Sequence, residues 1–128
     1  LMSRFAQGKF ALKNPEKYIG GRTPTYRSSW EFHFMRMCDT NDSITKWASE
    51  AVRIPYRNPL SGKHTIYVPD FFLPEYDLIV EVKGYFYPDA REKWEAFLAQ
   101  HSEIKACIWF KEQIIMLENG ELQIENQV

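Results

Sequence analysis

The sequence predicts an α/β fold: a central mixed sheet of four to five strands flanked by helices. Three observations carry that expectation. Two segments, Ser28 to Cys38 and Asp89 to Gln100, repeat apolar residues at helical spacing. Between them lie short apolar runs bounded by turn chemistry, the mark of strands. A continuous apolar run, reading as a buried strand, follows the second helix, and strands alternating with helices assemble into sheets covered by helices.

Residues 1–25 lack periodicity and are punctuated by Asn-Pro, Gly-Gly and Thr-Pro, so an extended arm or a set of loops is expected there, ahead of a single domain over residues 26–128. In the first helix Trp30, Phe34, Met37 and Cys38 form a stripe, Ser28 or Ser29 supplies the cap, and Glu31 falls in the first turns beside Phe34. Thr40-Asn41-Asp42 breaks it, and a short helical turn is expected around Ile44 to Ala48. The first strand candidate is Ala51 to Tyr56. The turn Asn58-Pro59-Leu60-Ser61-Gly62 leads to a second, Thr65 to Leu73, interrupted by Pro69. Leu78 to Lys83 is the third. The second helix sets Ala90, Trp94, Phe97 and Leu98 on one stripe. Ile104 to Phe110 is the fourth strand, and a final hairpin is expected from Gln113 to Leu117 and Glu121 to Ile124 around Asn119-Gly120.

Composition narrows the classes. The chain has 128 residues, of which 45% are hydrophobic and 16% aromatic, which excludes a disordered protein. No apolar run approaches the roughly 20 residues that span a bilayer, and no secretory signal is read, so a cytoplasmic location is expected. Cys38 and Cys107 sit apart among apolar residues and read as buried reduced thiols, without zinc-site spacing. The net charge of −1 hides an asymmetry. Residues 1–30 carry six cations (Arg4, Lys9, Lys13, Lys17, Arg22, Arg27) against Glu16 alone, and the excess of acid lies in the remainder. A basic segment on an acidic body suits contact with phosphate.

The third strand, Leu78-Ile79-Val80-Glu81-Val82-Lys83, carries the chemistry. Alternate residues of a strand share a face, so Ile79, Glu81 and Lys83 point one way and Leu78, Val80 and Val82 the other. Burying a carboxylate and an ammonium in an apolar strand costs several kcal/mol unless both are compensated. Asp70 follows Pro69, which removes a main-chain donor and disturbs pairing there. If the second and third strands pair across Leu73 to Asp77, Asp70 and Glu81 converge and could hold one Mg²⁺ with waters and a substrate phosphate, within reach of Lys83. The aromatics after Gly84 (Tyr85, Phe86 and Tyr87) are read as packing the edge of the core, with stacking on an unpaired base as the alternative. Trp30, Trp47, Trp94 and Trp109 are assigned to the core.

Pro69-Asp70 followed by Glu81-Val82-Lys83 resembles the signature of the PD-(D/E)xK nuclease superfamily, with Glu31 where that superfamily often adds an acidic residue. The stretch from Ile54-Pro55-Tyr56 through Val68-Pro69-Asp70-Phe71-Phe72-Leu73-Pro74 to Glu81-Val82-Lys83-Gly84 is similar to phage endonuclease I, the Holliday-junction resolvase family, and Asp89 to Lys93 with Ile108-Trp109-Phe110 continues the likeness. Tyr26 to Phe32, with Trp47 and Pro55-Tyr56, resembles phage head-completion nucleases. The resemblance implies a restriction-endonuclease-like core and a Mg²⁺-dependent DNA endonuclease, Mn²⁺ substituting, that leaves 5′-phosphate and 3′-hydroxyl ends. It implies Glu31, Asp70, Glu81 and Lys83 as catalytic residues and Asp70, Glu81, Val82 and Glu31 as the metal set. Arg27, Lys63, His64, Arg91 and Lys93 are the candidate DNA contacts. Expected partners are DNA and a second copy in a homodimer, with no membrane and no small-molecule cofactor. The expected setting is the host cytoplasm, or association with the virion. A structure-selective, junction-resolving enzyme is the leading expectation. The alternatives are a head-completion, homing or transposition-type nuclease, or a structural DNA-end or virion-neck protein with weak or no catalysis.

Overall fold

The computed structural model describes residues 7–124; residues 1–6, with Arg4 of the basic segment, and residues 125–128 lie outside that span. In chain order the elements are β1 (Gly8–Lys9), β2 (Thr25–Tyr26), α1 (Ser29–Thr40), β3 (Ala48–Ser49), β4 (Ile54–Arg57), β5 (His64–Tyr67), β6 (Phe71–Leu73), β7 (Leu78–Lys83), α2 (Pro88–Gln100), β8 (Ala106–Phe110) and α3 (Lys111–Glu118). The central sheet has four strands in the order β3-β6-β7-β8, antiparallel except for the parallel β7–β8 pair. Parallel neighbours need a long crossover, and α2 supplies it. The expected mixed sheet flanked by helices is therefore the one formed.

The alternation along β7 divides the interior in two. Leu78, Val80 and Val82 join a core with Phe34, Met37 and Cys38 of α1 and Ile114 and Leu117 of α3. Ile79 joins a second core with Ile54, Tyr56, Trp94 and Phe97, under the β4–β5 hairpin and α2. Glu81 emerges on that second face. Each fully buried side chain of this kind stabilises the fold by roughly 1.5–3 kcal/mol relative to exposure.

α1 is capped by Ser28, whose Oγ accepts the Glu31 N–H at 3.1 Å, and continues past Cys38 to Thr40. The helical turn expected at Ile44 to Ala48 is not formed. The Trp47 N–H donates to the Lys17 carbonyl (3.0 Å) and the Trp47 carbonyl accepts from Ile19 (2.9 Å), while Ala48–Ser49 pairs with β6. Those tertiary partners extend the backbone. Ile44 and Trp47 are both fully buried, three residues apart, and so imitated a helical stripe. The expected strand Thr65 to Leu73 is two strands. The chain leaves the β4–β5 hairpin at Tyr67 and enters the central sheet at Phe71, breaking around Pro69, which has no N–H to give a ladder.

The expected C-terminal hairpin is also absent: residues 111–118 are helical. Asn119-Gly120 stops a helix here instead of turning a hairpin. Gly120 has φ +77°, its N–H donates to the Leu117 carbonyl (3.3 Å), and the Glu121 N–H donates to that of Met116 (2.8 Å), the two bonds of a Schellman cap. α3 then packs on α1, with Glu118 accepting from Arg36 at 2.7 Å and lying 2.9 Å from His33. Ahead of α1, Phe10 is buried in the first core. The Asp39 carboxylate accepts the Lys13 and Asn14 N–H groups, both at 3.0 Å, which ties residues 7–25 to the body.

Of the expected core positions, Trp47, Trp94 and Trp109 are buried, while Trp30 is half-buried at the end of β7. A Cβ at Gly84 would approach Trp30 Cδ1 to 2.8 Å, so glycine is what lets the indole lie there. Cys38 is buried and Cys107 half-buried, and both are free thiols. Tyr85 and Tyr87 do not pack the core: they are 64% and 66% exposed. Phe86 takes the inward position, against Arg91 (4.6 Å) and Phe110 (6.1 Å), and in extended chain its two neighbours then face out.

Candidate active site

β6 and β7 pair with Phe71 opposite Val80, so one step further out Asp70 stands opposite Glu81. The missing Pro69 donor ends the ladder, and the two carboxylates take over. The Asp70 N–H donates to Glu81 Oε1 at 2.9 Å, and the Val82 N–H donates to Asp70 Oδ2 at 2.9 Å. Each acid is fixed by the main chain of the other's strand, with one oxygen of each committed to that role. Lys83 Nζ lies 3.6 Å from Glu81 Oε2. Tyr67, on β5, brings its hydroxyl toward the Glu81 carboxylate, where it favours the charged form. Its ring is stacked on Phe97 at 4.4 Å.

This pair is poorly compensated electrostatically. Burial, and next the charge of Asp70, push the Glu81 carboxyl up to about 8, with Lys83 opposing. Burial also raises Asp70, against the pull of the Val82 N–H and Lys83. Burial thus opposes the charge of both acids, side by side, and Lys83 offsets it only in part, so a further positive charge would favour the pair. Hard oxygen donors in that state suit a divalent cation such as Mg²⁺, which takes one or two carboxylates and fills the rest of its shell with water and phosphate. The Val82 side chain is buried on the opposite face, so only its main chain could take part.

Burial first, and after it the charge of Asp70, raise the Glu31 carboxyl against the pull of the Arg27 N–H, so Glu31 lies within electrostatic reach of Asp70. Its Oε1 accepts the Arg27 N–H at 2.9 Å, so it also ties down the entry to α1. Among the described residues no cluster of three or more His, Cys, Asp or Glu stands ready around one ion, so Asp70 and Glu81 meet as a pair with Glu31 beside them.

The pair opens on a cleft of about 440 Å³ lined also by Lys83, Tyr87, Lys93 and Val68. Lys93 is thus brought to the acids. Arg91 is not: it lies over Phe86. Lys63 and His64 are exposed at the tip of the β4–β5 hairpin. Arg27 is exposed and ion-paired with Glu50 at 2.9 Å. A second cleft, of about 560 Å³, shares the lining residue Val68 with the first and carries Arg22, Arg27 and Arg53.

Several of these groups escaped the sequence. In the sequence Tyr67 is simply one aromatic within the Thr65 to Leu73 segment. Arg53 stood outside the basic segment. Glu50 holds a left-handed backbone (φ +50°) while its N–H donates to the Asp70 carbonyl at 2.9 Å, which locks the chain beside the acid. None had a local signal, because each acquires its partner only through the fold.

A mixed sheet that presents two cross-braced acids and a lysine at one cleft defines an α/β protein with an acidic, lysine-assisted site suited to a divalent cation. The family model for phage endonuclease I matches residues 15–121, and the chain belongs to that family, a family of phage nucleases. No curated protein and no solved structure matches the chain significantly. No helix among the described residues is long and apolar enough to cross a membrane.

Proposed function

We propose that the chain is a divalent-cation-dependent DNA endonuclease selective for branched DNA, working as a homodimer in the host cytoplasm, with a PD-(D/E)xK site. The observation that carries the catalytic reading is the reciprocal bracing of Asp70 and Glu81 with Lys83 beside them. The preference for junctions rests on the family, and the dimer on the need for two cuts at one branch.

A cation held by Asp70 and Glu81 would polarise a phosphoryl oxygen and lower the pKa of a bound water. Asp70 and Glu81 keep their geometry through main-chain hydrogen bonds, so they need no reorganisation to receive it. Tyr67 steadies the Glu81 carboxylate. The Lys83 ammonium stabilises the charge that develops on the phosphate and orients the attacking water. Glu31 orients water from the α1 side. Lys93 contacts phosphate within the cleft, and Arg22, Arg27 and Arg53 carry the backbone onward past Val68. Arg27 exchanges Glu50 for phosphate when DNA arrives. Lys63 and His64 reach flanking duplex from the hairpin tip.

Purified protein incubated with a four-way junction and with linear duplex, in Mg²⁺ or in EDTA, tests this. Cleavage that needs Mg²⁺, favours the junction and is lost in Asp70→Ala is expected. Cation-independent cutting, or full activity in Asp70→Ala, contradicts the assignment.

A further inference from the structure

The exposed pair Tyr85 and Tyr87 is unused by the chemistry above. Their rings lie 4.6 Å apart at 73°, and both are about two-thirds exposed. The segment that carries them is held from two sides. Trp30 lies over Gly84, and Phe86 is wedged between Arg91 and Phe110. Two large aromatic faces are thereby presented to solvent by a fixed backbone, immediately after Lys83. Tyr87 also lines the cleft that holds Asp70, Glu81 and Lys93.

We propose that Tyr85 and Tyr87 form a stacking platform for an unpaired base next to the scissile phosphate. The inference rests on the nuclease reading and adds a basis for substrate choice. A phosphate held at the acids and Lys93 leaves its nucleoside at the rim of the same cleft, where Tyr87 stands. A base in intact duplex already stacks on its neighbours and gains nothing there. A base freed at a branch, flap or bulge has an open face, and any of the four bases serves because stacking reads the ring and not its edge. The aromatic pair then favours disrupted DNA without reading sequence.

The test uses the full chain and two substrates, a matched duplex and the same duplex with a single-stranded flap carrying 2-aminopurine beside the cut. Binding is followed by 2-aminopurine fluorescence with Lys83→Met protein, and cleavage by kcat/KM with otherwise native protein. The expected result is a fluorescence change on binding that disappears in Tyr87→Ala and Tyr85→Ala and persists in Tyr87→Phe and Tyr85→Phe. The preference for flap over duplex should fall by about 5-fold to 150-fold in the alanine variants, the equivalent of one base–aromatic stack, while duplex cleavage holds. Equal losses on both substrates, or an unchanged preference and fluorescence, overturn the proposal. So does a shift of sedimentation to monomer in the alanine variants, which would make the pair a contact between copies. Native protein that cuts neither substrate sinks the nuclease reading, and the fluorescence still decides the stacking.

Discussion

Replacing Glu81 by Gln separates stability from function at the centre of this site. Glu81 is buried, and its carboxyl is raised from 4.5 to about 8, first by burial and then by Asp70. Below the ordinary value both folded and unfolded chains hold the proton, and there is no penalty. Between 4.5 and about 8 the unfolded chain releases it while the folded chain keeps it, so stability falls as pH rises. By pH 8 the cost is on the order of 4 kcal/mol, at about 1.4 kcal/mol per tenfold change. Glutamine keeps the shape and an oxygen to accept the Asp70 N–H, but carries no charge. Glu81→Gln should therefore raise the Tm of cation-free protein at pH 8 by on the order of 10 °C and change it little at pH 4.5, while abolishing cleavage. Thermal melts in EDTA at the two pH values, with a nicking assay on the same preparations, read this out. Mg²⁺ should raise the Tm of native protein at pH 8 and leave that of the variant unmoved. A variant destabilised equally at both pH values would make Glu81 a structural hydrogen-bonding group and refute the reasoning.

Lys83→Met should lower kcat by about 10²- to 10⁴-fold while leaving DNA affinity near that of native protein; single-turnover cleavage with a parallel binding titration checks it, and a loss confined to affinity would remove Lys83 from the chemistry. Arg22→Ala combined with Arg53→Ala should weaken binding to every DNA alike and flatten the slope of log affinity against log salt by about 2, as expected for two lost phosphate contacts; an unchanged slope would take the second cleft off the DNA path.

What the sequence disclosed follows from where each signal was stored. α1 and β7 were legible because their patterns are local: a cap and a stripe from Ser28, and strict alternation that placed Glu81 and Lys83 together on one face. The meeting of Asp70 and Glu81 could be inferred from a short connection between two strands. The reciprocal hydrogen bonds that fix them could not, since they depend on register. Asn119-Gly120 misled because one dipeptide serves both a hairpin and a Schellman cap, and only the packing of Ile114 and Leu117 against α1 decides for the helix. Tyr85 and Tyr87 were read inward because apolar residues usually are. Phe86 occupies the single inward position, and the other two are left exposed, with Tyr87 lining the cleft.

In the proposed reaction Asp70 and Glu81 together hold the cation. A Mn²⁺-soaked crystal tests it most directly, through the anomalous signal of the ion. A peak within about 2.2 Å of one carboxylate oxygen from each residue, absent from Asp70→Asn crystals, is the predicted result. A well-ordered pair of acids without a peak between them, in protein that still cleaves DNA in Mn²⁺, would contradict it.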